Sequence, residues 1–451
     1  MTLPDGPIVA WYGDDFTGAA AVMEVMTFAG LPAVLFLEPP DADRLSRFDG
    51  IRAIGLAGAS RAMTPEEMDA ELPSAFAMLR GTGAPILHYK ICSTLDSAPR
   101  LGSIGHAAGL AMHPGEVAPL LVAAPEIGRW QAFGTLFALA DGQAVRLDRH
   151  PTMSVHPATP MDEADVRLHI ARQTDVGVGL VDLRALKAGQ GPETFKDAAR
   201  TNDIVALDVV DAETLTRSGE VVWGACGEGG FVIGSQGVEY ALIAAWRQAG
   251  WLADAPRPAP AGPVDRIAVV SGSCAPVTAG QIAHAETNGF DAIAFDATAT
   301  ADTAALRAET DRATRAALAA LDRGQSPLIA TARGPDDPAI AAFRTVADRV
   351  GATRLNDRLG ETLGGLLRDL AARAGLRRVG IAGGDTSSRG AAGLGLWALT
   401  ATAPIAPGVA LLRGHSDDPA LDGIEIALKG GQMGPPELFT DLRAGGPGGM
   451  T

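Results

Sequence analysis

Two adjacent carboxylates, Asp14 and Asp15, stand where an apolar run at residues 8–12 gives way to Gly13-Asp14-Asp15-Phe16-Thr17-Gly18. A carboxylate at a strand end can accept the proton of a substrate hydroxyl or hold a divalent metal. One aspartate here also suits a helix N-cap, but capping uses a single carboxylate. A second apolar run, residues 86–89, leads into Lys90-Ile91-Cys92-Ser93-Thr94-Leu95-Asp96-Ser97. Lys90 offers a point charge to a carboxylate or phosphate, Ser93 and Thr94 offer short donors, and a helix opening at this turn would add backbone N–H groups. A sugar acid suits such a site. Arg61, after Ala57-Gly58-Ala59-Ser60, has the planar fork that clamps a carboxylate through two parallel hydrogen bonds.

The second half repeats the pattern with smaller residues. Ser271-Gly272-Ser273-Cys274 follows the run at 267–270 and precedes a helical stretch at 277–287, a turn able to lie against a phosphate or ribose. Gly383-Gly384-Asp385-Thr386-Ser387 follows the run at 379–382, and its paired glycines let N–H groups face an anion without Cβ obstruction. Lys429-Gly430-Gly431-Gln432-Met433-Gly434 follows a third run at 424–428 and suits close approach to an adenine or its phosphates. The chain contains no G-x-x-x-x-G-K-[ST] loop, no dinucleotide fingerprint at a strand-to-helix turn, no H-E-x-x-H and no G-x-S-x-G. These turns therefore predict an acidic ligand on one half and a phosphate-bearing ligand on the other.

The elements that must carry these turns follow from length and periodicity. At 451 residues the chain exceeds what one core ordinarily supports, so two domains are expected. Pro and Ala crowd residues 253–263, which read as a semi-rigid linker between domains at 1–252 and 264–451. Strand-like runs at 33–37, 53–56, 120–123 and 204–209 alternate with helical stretches at 65–79 and 162–173. After the linker, runs at 292–295 and 328–331 alternate with helices at 301–321 and 337–350. That alternation predicts two α/β domains with mainly parallel sheets. Residues 133–139 and 144–147, around Asp141-Gly142, predict a hairpin. The net charge of −16 argues against nucleic acid or an anionic membrane as partner. Three scattered cysteines and the lack of a leader or a long apolar run point to the cytoplasm.

In this order the segments resemble the four-carbon acid sugar kinase family, ATP-dependent kinases of sugar acids such as 3-oxo-tetronates, threonate and erythronate. The resemblance runs through Asp14–Ala19, Ser60-Arg61, residues 90–97, Gly128-Arg129, residues 156–161, Ser271–Cys274, residues 383–387 and Lys429-Gly430-Gly431. It implies an acid-binding N-terminal domain, an ATP-binding C-terminal domain and an active site in the interdomain cleft. Asp14, Arg61, Lys90, Ser93, Thr94 and Asp96 would then bind the acid. Asp14 or Asp15 would act as base, and Ser271, Ser273, Gly383, Gly384, Asp385, Thr386, Gly430 and Gly431 would bind ATP. Mg²⁺ is the expected metal, with Asp385 as one ligand, and assembly into a homo-oligomer is compatible with the resemblance. The expected reaction carries the γ-phosphoryl of ATP to a primary hydroxyl, giving the 4-phosphate of a 3-oxo-tetronate. Departures at Ala123–Ile127, Gly234–Gly237, Ser388 and Gln432-Met433 also fit a branch acting on a branched oxo-acid such as 3-oxo-isoapionate, and threonate or erythronate is a further alternative. The reading from another class is a two-lobed sugar-acid sensor without turnover, and a nicotinamide dehydrogenase is a more distant one.

Overall fold

The computed structural model describes residues 2–140, 142–156, 158–255 and 258–446, apart from the side chains of Thr353, Asp385, Thr386 and Ser388. The chain divides into two compact units, Met1–Pro256 and Arg257–Thr451.

In the first unit the strands are β1 (Val9–Gly13), β2 (Ala33–Phe36), β3 (Ala53–Ala57), β4 (Ile86–Lys90), β5 (Ala118–Leu121), β6 (Arg129–Ala132), β7 (Thr135–Ala140), β8 (Gln143–Arg146), β9 (Val178–Val181), β10 (Ile204–Leu207) and β11 (Gly230–Gly234). Eight of them pair in parallel in the order β2-β3-β1-β4-β11-β5-β10-β9, and β6-β7-β8 form a small antiparallel meander. The parallel strands read as continuous apolar runs because helices cover both faces. Register does the positioning: Gly13 lies beside Ala57 and Lys90, and Lys90 lies beside Gly234. The turns carrying Asp14, Arg61 and Cys92 therefore leave the sheet at the same level. Trp11, fully buried, donates from Nε1 to Ala19 O at 3.1 Å and fixes the helix Phe16–Phe28 over β1. Gly55 makes room for it, since a Cβ there would lie 2.2 Å from the indole.

The second unit contains β12 (Ala268–Ser271), β13 (Phe290–Ala294), β14 (Ser326–Ala330), β15 (Arg378–Ala382), β16 (Ala398–Ala406), β17 (Val409–His415) and β18 (Glu425–Lys429). Strands β13-β14-β12-β15-β18 are parallel, and the hairpin β16-β17 adds antiparallel to β18. Ser271, Ala382 and Lys429 align across three neighbouring strands. Both units are thus α/β with mostly parallel sheets.

Several boundaries differ from the sequence expectation. Residues 91–97 open no helix; the chain makes a turn with Leu95 at φ 54°, and the next helix, Ile104–Ala111, waits for its cap at Ser103. The run at 120–123 pairs as Ala118–Leu121. The helix expected at 162–173 shortens to Val166–Ala171, where Asp165 accepts from Arg167 N at 3.0 Å. In the hairpin β7 and β8 pair as expected, with Asp141 of its turn outside the described residues. The helix Ala352–Ala374 and the β16-β17 hairpin were not anticipated.

Candidate active site

At the carboxyl end of β1, Asp15 caps the helix Phe16–Phe28 by accepting from Gly18 N at 2.9 Å. Asp14, beside it, is only 3% exposed. Arg61 reaches it from the turn after β3, with Nε donating to Asp14 Oδ2 at 3.1 Å and Nη2 to Asp14 Oδ1 at 2.7 Å. Nη2 also lies 2.8 Å from Asp15 Oδ1. Buried Ser60, bonded through its hydroxyl to Tyr89 at 3.0 Å, fixes the start of that turn. Cys92 N adds a further donor to Asp14 Oδ2 at 3.2 Å. Burial raises the Asp14 carboxyl above its ordinary value, with Arg61 acting against it. Arg61 itself is held well above its ordinary value by Asp14, Cys92 and Asp15, despite its burial.

The two aspartates therefore differ. Both oxygens of Asp14 are engaged in the interior, whereas the Asp15 side chain is 29% exposed and its Oδ2 bonds to no described residue. Asp15 is the carboxylate a ligand can reach.

Lys90, 2% exposed, donates from Nζ to Ile91 O at 2.8 Å, and its other two protons have no acceptor among the described residues. Its ammonium sits beside Gly18, where a Cβ would lie 2.6 Å from Nζ. Glycine at position 18 thus lets a cation lie next to the first turn of the helix. Thr94 donates to Asp96 Oδ1 at 2.7 Å and lies 3.0 Å from Cys92 Sγ, so these residues brace one another within the turn. Ser93 is half-buried, with no hydrogen bond of its side chain to a described residue. Burial pushes the Cys92 thiol up to about 11, which leaves it a neutral filler.

Arg129, at the start of β6, was not singled out as a ligand residue. Its Nη1 donates to the carbonyls of Ile127 and Gly128, its Nε is buried with no partner among the described residues, and burial lowers its pKa while Cys92 and Asp96 pull the other way. A guanidinium desolvated without a carboxylate bonded to it is a receptor for an anion. The Gly128-Arg129 pair was the available signal; the orphaned Nε is visible only in three dimensions.

In the second unit the expected residues come together as three turns. Ser273 N donates to Ser271 Oγ at 3.3 Å, and the helix Pro276–Glu286 follows. Gly383, at φ 126°, precedes the helix Gly384–Gly393; glycine alone adopts that angle readily. A Cβ on Gly384 would meet nothing within 4 Å, so the backbone there is open to a ligand. Gly383 N donates to Lys429 O at 2.9 Å, which ties this turn to the one carrying Gly430 and Gly431. The side chains of Asp385 and Thr386 lie outside the described residues, so their expected roles at the phosphate and metal stay expectations. No group of three His, Cys, Asp or Glu side chains able to cage a metal exists among the described residues. No helix among them is long and apolar enough to cross a membrane.

An anion-receptive, carboxylate-bearing sheet end on one α/β unit and glycine-lined turns on another define a class of two-substrate enzymes. Residues 9–242 match the family model for a sugar-binding N-terminal domain, and residues 268–439 match that for a nucleotide-binding C-terminal domain. The chain belongs to the four-carbon acid sugar kinase family. It is 44% identical over 447 residues to the 3-oxo-isoapionate kinase of Paraburkholderia graminis, covering 98% of this chain and 95% of that protein. To the 3-oxo-tetronate kinase of Cupriavidus necator it is 30% identical over 447 residues, covering 98% and 97%. The crystal structure of Haemophilus influenzae protein HI1011 matches its fold with a TM-score of 0.72 at 23% identity, covering 96% of this chain and 99% of that one. This chain is an ATP-dependent sugar-acid kinase.

Proposed function

We propose that this kinase phosphorylates the primary hydroxyl of a branched oxo-acid of the 3-oxo-isoapionate type. One observation carries the choice: the relative named for that substrate is 44% identical, against 30% for the 3-oxo-tetronate kinase named above. The sequence motifs alone ranked a 3-oxo-tetronate first, and that acid is the natural comparator.

The chemistry is positioning and charge stabilisation more than covalent work. Lys90 and Arg129, each with donors not bonded to described residues, hold the substrate carboxylate and its neighbouring oxygens. Ser93 and Thr94 orient hydroxyls. Arg61 aligns the two aspartates, and Asp15 Oδ2 takes the proton of the attacking hydroxyl. The substrate's hydroxyl oxygen forms its bond to the γ-phosphorus as the bridging bond to the β-phosphate breaks, and ADP leaves. The N–H groups at 384–386 and around Gly430 and Gly431 face the phosphates. Mg²⁺, when bound, neutralises charge on the β- and γ-phosphates. Such a metal would need only one or two protein carboxylates beside the phosphates. Asp385 is our candidate for that ligand. Cys92, Cys226 and Cys274 are free, and on that ground we place the enzyme in the reducing cytoplasm.

The test is coupled ADP release with Mg-ATP and 3-oxo-isoapionate, 3-oxo-tetronates, threonate and erythronate. We expect kcat/KM highest for 3-oxo-isoapionate by about tenfold or more, the discrimination that one added group in a fitted pocket commonly gives. A 3-oxo-tetronate turned over with the higher kcat/KM would overturn the choice of substrate.

A further inference from the structure

A lysine beside glycine-rich turns invites the reading of a phosphate ligand, but Lys429 faces the interior. Its residue is 2% exposed, and Nζ donates to Thr278 Oγ1 at 2.8 Å, Gln281 Oε1 at 2.7 Å and Gly431 O at 3.2 Å. Those three bonds use all the protons of an ammonium. None remains for a phosphate.

The acceptors are themselves the joints of the three turns. Thr278 Oγ1 accepts from Lys429, donates to Gly431 O at 3.0 Å and lies 2.9 Å from Ser273 Oγ. Gln281, its oxygen fixed by Lys429, turns its Nε2 to the carbonyls of Met433, Gly434 and Pro435 at 2.9, 3.1 and 3.1 Å. Lys429 O accepts from Gly383 N at 2.9 Å and from the Ser387 hydroxyl at 3.5 Å. One residue thus joins the turns at 271–275, 383–387 and 430–435.

We propose that Lys429 is a positioning residue for the nucleotide, its ammonium setting the spacing of two of the three turns that hold ATP, those at 271–275 and 430–435. The inference rests on the reading that those turns bind the nucleotide. Its chemistry gives a handle. Burial lowers the Lys429 pKa from 10.5 to about 8. The groups facing it are uncharged: Thr278 and Gln281 from the helix Pro276–Glu286, the Gly431 carbonyl of its own turn, and Ala382 beside it on β15. On the helix Gly384–Gly393, Arg389 pairs with Asp357 at 2.9 Å and the Asp385 side chain lies outside the described residues. Lys429 therefore holds its charge below about pH 8 and loses it above, and the turns loosen as it does so.

ADP affinity measured by titration calorimetry from pH 6.5 to 9.5 tests this on the full chain. Lys429→Met should weaken ADP by about tenfold at pH 7, the effect of losing a charge-assisted hydrogen bond. KM for ATP should rise by the same factor while KM for the acid stays within about twofold. The wild-type affinity should fall above about pH 8, and the variant's should stay flat over that range. Lys429→Arg, which keeps the charge, should recover part of the loss. Should Lys429→Met fail to fold, Thr278→Val removes the bridging hydroxyl and should weaken ADP in the same direction. Lys429→Met binding ADP as the wild type does, or showing the same alkaline fall, overturns the role. Gly384→Val separates the two levels, since a Cβ at that position meets nothing within 4 Å in the described protein. If that variant weakens ADP while Lys429→Met does not, the positioning role alone is wrong. If Gly384→Val leaves ADP affinity unchanged, the turns do not hold the nucleotide and both readings fall.

Discussion

Replacing each aspartate by its isosteric amide separates base from anchor, and the structure sets opposite expectations for the two. In Asp15→Asn the helix cap survives, because asparagine caps as well as aspartate and can still accept from Gly18 N. The same amide oxygen can still accept from Arg61 Nη2, and the charge attraction that is lost joins side chains 29% and 26% exposed, so it contributes about 0–1 kcal/mol. Stability should barely move. Loss of a general base, however, lowers kcat by about 10²–10⁴, equivalent to about 3–5 kcal/mol in the barrier. Asp14→Asn should behave the other way. An amide presents one oxygen, and Asp14 accepts on both, from Arg61 Nη2 on one side and from Arg61 Nε and Cys92 N on the other. Whichever way the amide turns, a buried donor faces an NH₂ group and Arg61 loses a counter-charge. Relief of the cost of burying the Asp14 charge offsets part of this, leaving a loss of about 2–4 kcal/mol. For a unit of this size that is about 5–15 °C in Tm. Thermal melts paired with saturating kcat in the ADP-release assay read both effects. Asp15→Asn keeping kcat within tenfold of wild type, with Asp14→Asn folded yet inactive, would refute the assignment of the base to Asp15.

Two further expectations concern the acid-binding unit. Arg129→Met should raise KM for the acid by about tenfold or more and leave KM for ATP unchanged, because its buried Nε awaits an anion and Arg129 pairs with no carboxylate among the described residues; an unchanged KM for the acid would remove Arg129 from the site. His169, 6% exposed and bonded through Nε2 to Ser97 Oγ at 2.8 Å, is pressed by burial from 6.5 to about 4. Its folded value is depressed, so the stability it contributes is full above about pH 6.5 and lost as pH falls towards about 4, about 3 kcal/mol in all from 2.5 units at 1.36 kcal/mol each. Urea unfolding at pH 7 and pH 4.5 should show a smaller acid loss in His169→Gln than in the wild type, and equal losses would place the acid sensitivity elsewhere.

The parts that were legible in the sequence are those where local pattern and tertiary structure agree. Strands β1, β4, β12 and β15 are fully buried, so apolar residues dominate them, and the glycines and hydroxyls after them sit at the level that register dictates. At residues 91–97 the Ser, Thr and Asp imitate a helix cap, but Leu95 in the left-handed region and Pro99 soon after prevent a helix from following. The hairpin β16-β17 was missed because Pro404 and the abundant alanines of β16 carry little strand propensity; pairing with β18 supplies what the local sequence lacks. Arg129 and Lys429 were visible as charges, but their meaning lies in what surrounds them. One has an unpartnered nitrogen, and the other has no proton left to give a ligand.

The open backbone at Gly384 has a practical consequence for anyone mapping this enzyme by mutation. Where recognition is written in main-chain amides, an alanine scan that deletes side chains erases nothing and reports silence. The informative experiment runs in reverse, adding a methyl group at a time, and Gly384 accepts one within the empty protein because no atom lies within 4 Å of it. Gly384 opens its helix without a positive φ, so alanine there would stabilise the fold by roughly 0.4–1 kcal/mol through the unfolded chain, and selection for heat resistance alone would tend to enrich the substitution that closes the site. Directed evolution of this kinase should therefore screen turnover alongside thermal tolerance.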